Sequence, residues 1–384
     1  MACAGALSLH PDAAAATGEV LGSVLEQLGP APDLAVVFCT PDHLGAFAAV
    51  ADAVRSLLEP RVLVGAAAGG VLGGGVEVED GPGLTLWAAR LPAPARPVRI
   101  TAARTPAGTA VAGVGAGTVG PGETLVLLAD PLTLPVGDVV DLLAALDPPA
   151  RVVGGLCAAG RAPGTNRLVL DGEVVADGAV GVVLPAEAGA SAVVSQGCRP
   201  VGEPMIVTGA RGEVLLELAG RPALDRLDEI VAAAGPDDRR LLARGLHIGI
   251  AADEHLATFG RGDFLVRPVV GAVPPVRGVA LGEPVAVGTT VQFHVRDAAT
   301  ADQDLREALA GAVAARAPGG ALVFTCDGRG RALFGERHHD ARLVRDAVGS
   351  DAVAGAFCAG EIGPVGPRSH LHGWTASLVL VGGR

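Results

Sequence analysis

The sequence contains no lysine and no tyrosine, and aromatic residues fill only 3% of its 384 positions. Without lysine there is no Schiff-base chemistry through an ε-amine and no Walker-type phosphate loop, whose glycine-rich turn needs a lysine on the phosphates. All 29 basic residues are arginine, and 41 acidic residues outnumber them, for a net charge of −12. No stripe of basic residues is present, which excludes nucleic acid and anionic membrane surfaces as partners. The first basic residue is Arg55, so the amino-terminal stretch lacks the positive region of a secretory signal. Long apolar spans are also missing. Residues 105–122 and 62–76 carry no charge, but glycine interrupts both, and neither is an apolar run of about 18 residues that could cross a bilayer. A cytoplasmic protein without membrane insertion is expected. The cysteines Cys3, Cys39, Cys157, Cys198, Cys326 and Cys358 form no CxxC pair and read as reduced thiols in small apolar slots.

What the chain does have is small apolar residues and 56 glycines, a composition suited to close backbone packing. It also has an internal repeat. Residues 34–40 (LAVVFCT), 124–130 (TLVLLAD) and 321–327 (ALVFTCD) are continuous apolar runs, the pattern of buried strands. Helical segments follow at 43–58, 136–146 and 340–348. Second strands then enter glycine signatures: VLVGAAAGG from Val62, VVGGLCAAG from Val152 and VAGAFCAGE from Val353. A loop leads to third strands at 84–91, 179–184 and 375–381. A degraded fourth copy is expected at 246–253, 264–273 and 291–297, with a loop in place of the helix. Helices are also expected at 11–28 and 222–234. The fold class is therefore α/β, with two pseudo-repeated lobes of strand–helix–strand–strand units forming mixed sheets.

Four segments carry a family resemblance: FCTPDH from Phe38, GAAAGGVLGGGVEVE from Gly65, FLVRPVVG from Phe264, and GEIGPVG from Gly360 with HGWTASL from His372. In this order they resemble FIST proteins. The resemblance implies a FIST N-like domain at 30–219, holding two repeat units, and a FIST C-like domain at 220–384, holding one degraded and one full unit. It further implies a sensory, small-molecule-binding role in bacterial signal transduction, with amino acids or related metabolites as ligands. A eukaryotic branch of the family acts in adaptors. Ala66 and Gly373 stand where the family often carries Cys or a polar residue and Asn.

The polar residues gather in the last repeat. Cys358, Glu361, Arg368, His370 and His372 lie within 15 residues, and Asp327 and Arg329 follow the repeat's first strand. An arginine beside a carboxylate can bind the two ends of an amino acid, and α/β folds place ligands at such carboxyl ends of strands. Arg267 and Arg296 are charges inside apolar strands and must be paired or face a cleft. These nine residues form the candidate ligand site, expected in a cleft between the halves. His338, His339 and Asp340 form a second cluster, but neither cluster completes a metal-ligand set, and Asp340 reads as a helix cap. Glu77 and Glu79 read as an exposed strand edge. No catalytic residue, metal or cofactor is assigned. The leading expectation is a non-enzymatic sensor of a small polar metabolite, with a partner protein supplying the output. A thiol-dependent transferase or hydrolase using Cys326 or Cys358, and a protein-interaction adaptor, are the alternatives.

Overall fold

The structure, a computed structural model, describes residues 1–106 and 108–382, and among these residues the chain forms four sheets. Among the described residues, no helix is long and apolar enough to cross a membrane. The expected α/β class with mixed sheets is present. Three repeats each open with a parallel pair: Leu34–Cys39 beside Val62–Ala67, Thr124–Ala129 beside Val152–Leu156, and Gly320–Cys326 beside Val353–Cys358. In each, a helix joins the pair, as a parallel connection requires: Phe47–Leu57, Val136–Ala144 and His339–Val348. The third strands, Leu84–Arg90, Ala179–Leu184 and Thr375–Val381, add antiparallel to the first. Both faces of these strands are covered, which is why they read as unbroken apolar runs.

The segments expected as loops are hairpins, and each leaves its own repeat. Gly70–Gly73 with Val76–Val78 pairs onto Val353–Cys358. Glu361–Val365 with Arg368–His372 pairs onto Val152–Leu156. Leu168–Leu170 with Glu173–Val175 pairs onto Val62–Ala67. The exchange runs around all three repeats and closes. The inner faces of the three sheets share one core that includes Val36, Phe38, Val64, Val126, Leu128, Leu322 and Phe324. The outer faces lie under helices. The helix Ala13–Leu28, capped by the Asp12 side chain on the Ala15 N–H at 2.8 Å, joins Phe47–Leu57 on the first sheet.

Register explains part of the glycine. Gly65, Gly154 and Gly355 lie opposite Val37, Leu127 and Val323, at the same place in each parallel pair. A Cβ on Gly65 would stand 2.5 Å from the Val37 carbonyl oxygen, and those on Gly154 and Gly355 would approach Leu127 O and Val323 O still more closely. Only a residue without a side chain fits there.

Residues 196–304 are a second compact unit, and residues 1–195 with 305–384 are the first. In the first unit the exchanged hairpins bind the C-terminal repeat to the first two. The expected fourth repeat is corrected. Its strands, Leu246–Ala251, Phe264–Val273 and Thr290–Arg296, pair only antiparallel. With Cys198–Arg211, Val214–Leu218 and Gly278–Leu281 they close into a barrel around Leu215, Ile248, Val279, Val291 and Phe293. No helix separates the first two strands, so no parallel pair can form.

Candidate functional site

In the C-terminal repeat, Cys326 and Cys358 are register partners at the carboxyl ends of the parallel pair. The chain then turns, with the Gly328 N–H on Cys326 Sγ at 3.5 Å, and brings Arg329 inward until none of its surface is exposed. An arginine buried this far needs a paired anion. Asp340, from the first turn of the helix His339–Val348, supplies it: Nε to Oδ2 at 2.7 Å and Nη2 to Oδ1 at 3.0 Å. Thr325 Oγ1 donates to the same carboxylate at 2.9 Å, and His339 Nδ1 lies 3.0 Å from Oδ1. Phe334 stacks on the His339 ring at 3.5 Å and receives the Arg329 guanidinium 5.3 Å from its centroid. Burial alone would raise the Asp340 carboxyl, but Arg329 and the hydrogen bonds outweigh it and hold Asp340 below the usual carboxylate range. Asp340 is thus an ion-pair partner and not the helix cap its position suggests. Arg329 Nη1 has no hydrogen-bond partner.

Glu361 is another acidic side chain with no exposed surface. It stands opposite Gly155, where the other two hairpins place Val71 opposite Ala356 and Leu168 opposite Ala66. The Thr375 N–H donates to its Oε2 at 3.1 Å, and Oε1 has no partner. Burial raises its pKa well above the ordinary value, against the opposing pull of the Thr375 N–H and Arg329. Burial, reinforced by Glu361, pushes the Cys326 thiol up to about 12, and burial also raises Cys358.

The other sequence candidates are spread more widely. Strand alternation puts Glu361, His372, His370 and Arg368 on one face of their hairpin. His372 is buried, with Nε2 on the Gly363 carbonyl at 2.9 Å, whereas Arg368 and Asp327 are exposed. Arg267 and Arg296 belong to the barrel. Arg267 pairs with Glu283 at 2.9 Å, and Arg296 is the register partner of Cys198. No group of three or more His, Cys, Asp or Glu side chains suited to a metal ion occurs among the described residues.

Beside the Arg329–Asp340 pair lies a cavity of ≈ 320 Å³. Its polar wall holds Glu77, Glu79, Asp80, Arg331, Arg337 and His338; its apolar wall holds Leu9, Val76, Val78 and Pro82. The donated N-terminal hairpin brings the carboxylates, and the turn after Phe334 brings Arg337 and His338. Glu79 accepts the Arg331 N–H at 3.0 Å, and Asp80 pairs with the Arg331 side chain at 3.4 Å. Among the described residues, no ion pair engages Arg337. Glu77, only 6% exposed, accepts the Ala341 N–H on Oε1 at 2.9 Å, and its Oε2 has no partner. Sequence reasoning took Glu77 and Glu79 for a solvated edge. The available signal was their alternation in GGGVEVE, which puts two carboxylates on one strand face, but the partner strand comes from another repeat.

Two family models match this chain, the FIST N domain over residues 33–221 and the FIST C domain over residues 223–364. An uncharacterized protein of Mycobacterium tuberculosis strain H37Rv is 45% identical over 378 residues, covering 97% of this chain and 98% of its own length. An uncharacterized protein of Mycobacterium bovis strain AF2122/97 is 44% identical over 374 residues, 96% of each chain.

Proposed function

Because the chain belongs to the FIST family, whose domains are in general sensory domains of signal transduction, we propose that it is a sensor binding a zwitterionic metabolite over Glu77. The ligand is an amino acid or a close relative, the setting is the cytoplasm, and a partner protein supplies the output. One observation carries the reading. A single cavity is walled both by the buried Glu77 carboxyl group, whose Oε2 has no donor and almost no accessible surface, and by the exposed Arg337 guanidinium, which no ion pair engages among the described residues. Glu79 and Asp80 are already occupied by Arg331, so these two unmatched groups correspond to an ammonium and a carboxylate. The cavity volume is at the lower end of the usual range for small-ligand sites.

In this reading Arg329 is a positioning residue. Through Asp340 it steadies the helix whose Ala341 N–H holds Glu77. Glu361, Cys358 and His372 lie buried behind it, and Asp327, Arg368, His370, Arg267 and Arg296 do not line the cavity. The thiol-enzyme alternative is disfavoured by burial, which keeps Cys326 and Cys358 protonated rather than nucleophilic. Thermal-shift measurements with the free amino acids test the proposal. A ligand at a hundredfold excess over its Kd stabilises the wild type by about 3 kcal/mol, and Arg337→Ala loses most of that response. If no amino acid raises Tm, or if Arg337→Ala responds as the wild type does, the reading is wrong.

A further inference from the structure

The outer strand of an open sheet presents unpaired N–H and C=O groups, a template for a further strand that most chains blunt. Most edges of this molecule are blunted. Arg368–His372 carries Arg368, His370 and His372. Glu173–Val175 and Val76–Val78 are three residues long and each holds a glutamate. Arg221–Pro222 is shorter still and contains a proline. Ala2–Ser8 and Ser191–Gln196 are uncharged, but most of their residues are buried or half-buried.

Gly108–Ala112 has none of these protections. It ends the seven-stranded sheet, pairing with Arg96–Thr105 on one side and with no described strand on the other. Its sequence, GTAVA, holds no charge and no proline, and every residue except Val111 is exposed. Register shows which backbone groups point outward. Two positions of sequence separate the closing pair Thr105–Gly108, and in a hairpin of that length the closing pair exchanges both hydrogen bonds. Ala103–Ala110 and Thr101–Ala112 share this phase. It continues down the strand, where Arg99 O lies on the Gly113 side and Ile100 O on the Gly178 side. Thr109 and Val111 therefore turn their N–H and C=O groups away from the sheet. Among the described residues, no backbone hydrogen bond carries them to another element.

We propose that this edge pairs with the same edge of a second copy of the chain, antiparallel about a two-fold axis at Ala110. In that register Thr109 of each copy faces Val111 of the other, so every outward N–H meets an outward carbonyl. Ala110 faces its own copy at a non-hydrogen-bonded position, where Cα atoms approach to about 4.5 Å and a small side chain fits. Charge favours the same occupant. At a net charge of −12, two copies can approach closely only where neither brings like charge to the contact. Arg104, on the neighbouring strand, is the one charged residue of 100–112. An antiparallel edge is self-complementary, and each chain offers this one once, so assembly closes at two copies. So short an edge buries far less than the about 1,600 Å² of a standard interface, and pairing should depend on concentration, with a Kd roughly micromolar or weaker.

Sedimentation equilibrium of the full-length protein from about 1 µM to about 300 µM should show the mass rising from 38.0 kDa towards twice that value and no further. Ala110→Asp and Ala110→Arg each set like charges across the axis and should each remain monomeric, whereas their equimolar mixture should recover the dimer. Ala110→Cys should form an interchain disulfide under mild oxidation, and Thr109→Cys, which faces Val111, should form far less. Of the native cysteines only Cys3 is not fully buried, and the unsubstituted chain is the control for it. Ala110 is exposed, so these variants probe the contact and not the core. A monomer at every concentration, Ala110→Asp associating as the wild type does, a mixture no more associated than its parts, or Ala110→Cys cross-linking no better than Thr109→Cys overturns the proposal.

Discussion

The middle and C-terminal repeats use one backbone plan for different ends. Both pair their first two strands in parallel through the same glycine, and both send a hairpin to a neighbouring sheet. At the hairpin position opposite the next repeat's second strand, the middle repeat supplies Leu168 and the C-terminal repeat supplies Glu361. At the end of the first strand, the middle repeat closes a hydrogen-bond network: Asp130 accepts from Asn166 Nδ2 at 2.7 Å, Thr133 Oγ1 at 2.7 Å and the Leu132 N–H at 3.1 Å. The C-terminal repeat leaves Glu361 Oε1 and Arg329 Nη1 without partners and opens onto a charged cavity. The scaffold is held by what the repeats share, and the unpartnered buried polar groups of Glu361 and Arg329 sit where one departs from the others.

The largest expected effect strikes that departure. Arg329→Ala strands the Asp340 carboxylate in the interior and should cost about 3–5 kcal/mol in urea unfolding. Asn166→Ala, the matching change in the middle repeat, removes neutral hydrogen bonds and should cost about 1–3 kcal/mol. Equal losses would mean that the two strand ends are equivalent after all. Next comes the shared feature. Gly154→Ala and Gly355→Ala should each lose about 1–3 kcal/mol or more, with Gly65→Ala slightly milder, because each Cβ meets a neighbouring carbonyl. Gly22→Ala, in the first helix with nothing within 4 Å, should be neutral or gain up to about 1 kcal/mol. A harmless Gly355→Ala would break the three-repeat equivalence. The smallest effect comes from making the repeats alike. Glu361→Leu should be neutral or stabilising by about 1 kcal/mol near pH 8, since a poorly satisfied buried carboxyl is replaced by an apolar side chain. The folded pKa of Glu361 is raised, so its favourable contribution is complete below the unfolded value and is lost as pH rises through the folded one. The advantage of Glu361→Leu should therefore grow with pH, and a stability gap that shrinks on going from pH 5 to pH 8 would contradict this account of the core.

Much of the local structure is legible in the sequence. The apolar run at 124–130 becomes the strand Thr124–Ala129, and the helical face from Leu44 onward appears as a short 3-10 turn leading into Phe47–Leu57. These elements bury their own side chains, so local pattern reports their environment. The shared glycine fixes which positions of the repeats correspond. Cys358, Cys157 and Ala68 correspond, each three residues after Gly355, Gly154 and Gly65. The hairpins are not legible because their strands are short, with four residues at Gly70–Gly73 and three at Val76–Val78, and pair with distant repeats. The strand Ala2–Ser8, added to the edge of the first sheet, has no clear alternation either. The site suffered most. The polar clustering drew attention to the C-terminal repeat, but Glu77 arrives from a segment more than 250 positions away from Arg329 in the chain.

By itself the sequence determined the charge balance, the three full repeats, and the glycines that let strands approach. Those properties follow from composition and short-range pattern, which depend on residue chemistry alone. Only the tertiary structure decided which hairpin joins which sheet, that residues 196–304 close into a barrel, and that Glu77 and Arg337 line one cavity. The reason is physical: burial, charge compensation and an unmatched hydrogen-bond donor or acceptor are properties of neighbours in space. Neighbours in space are chosen here by strands exchanged between repeats, and that choice leaves little trace in any one stretch of sequence.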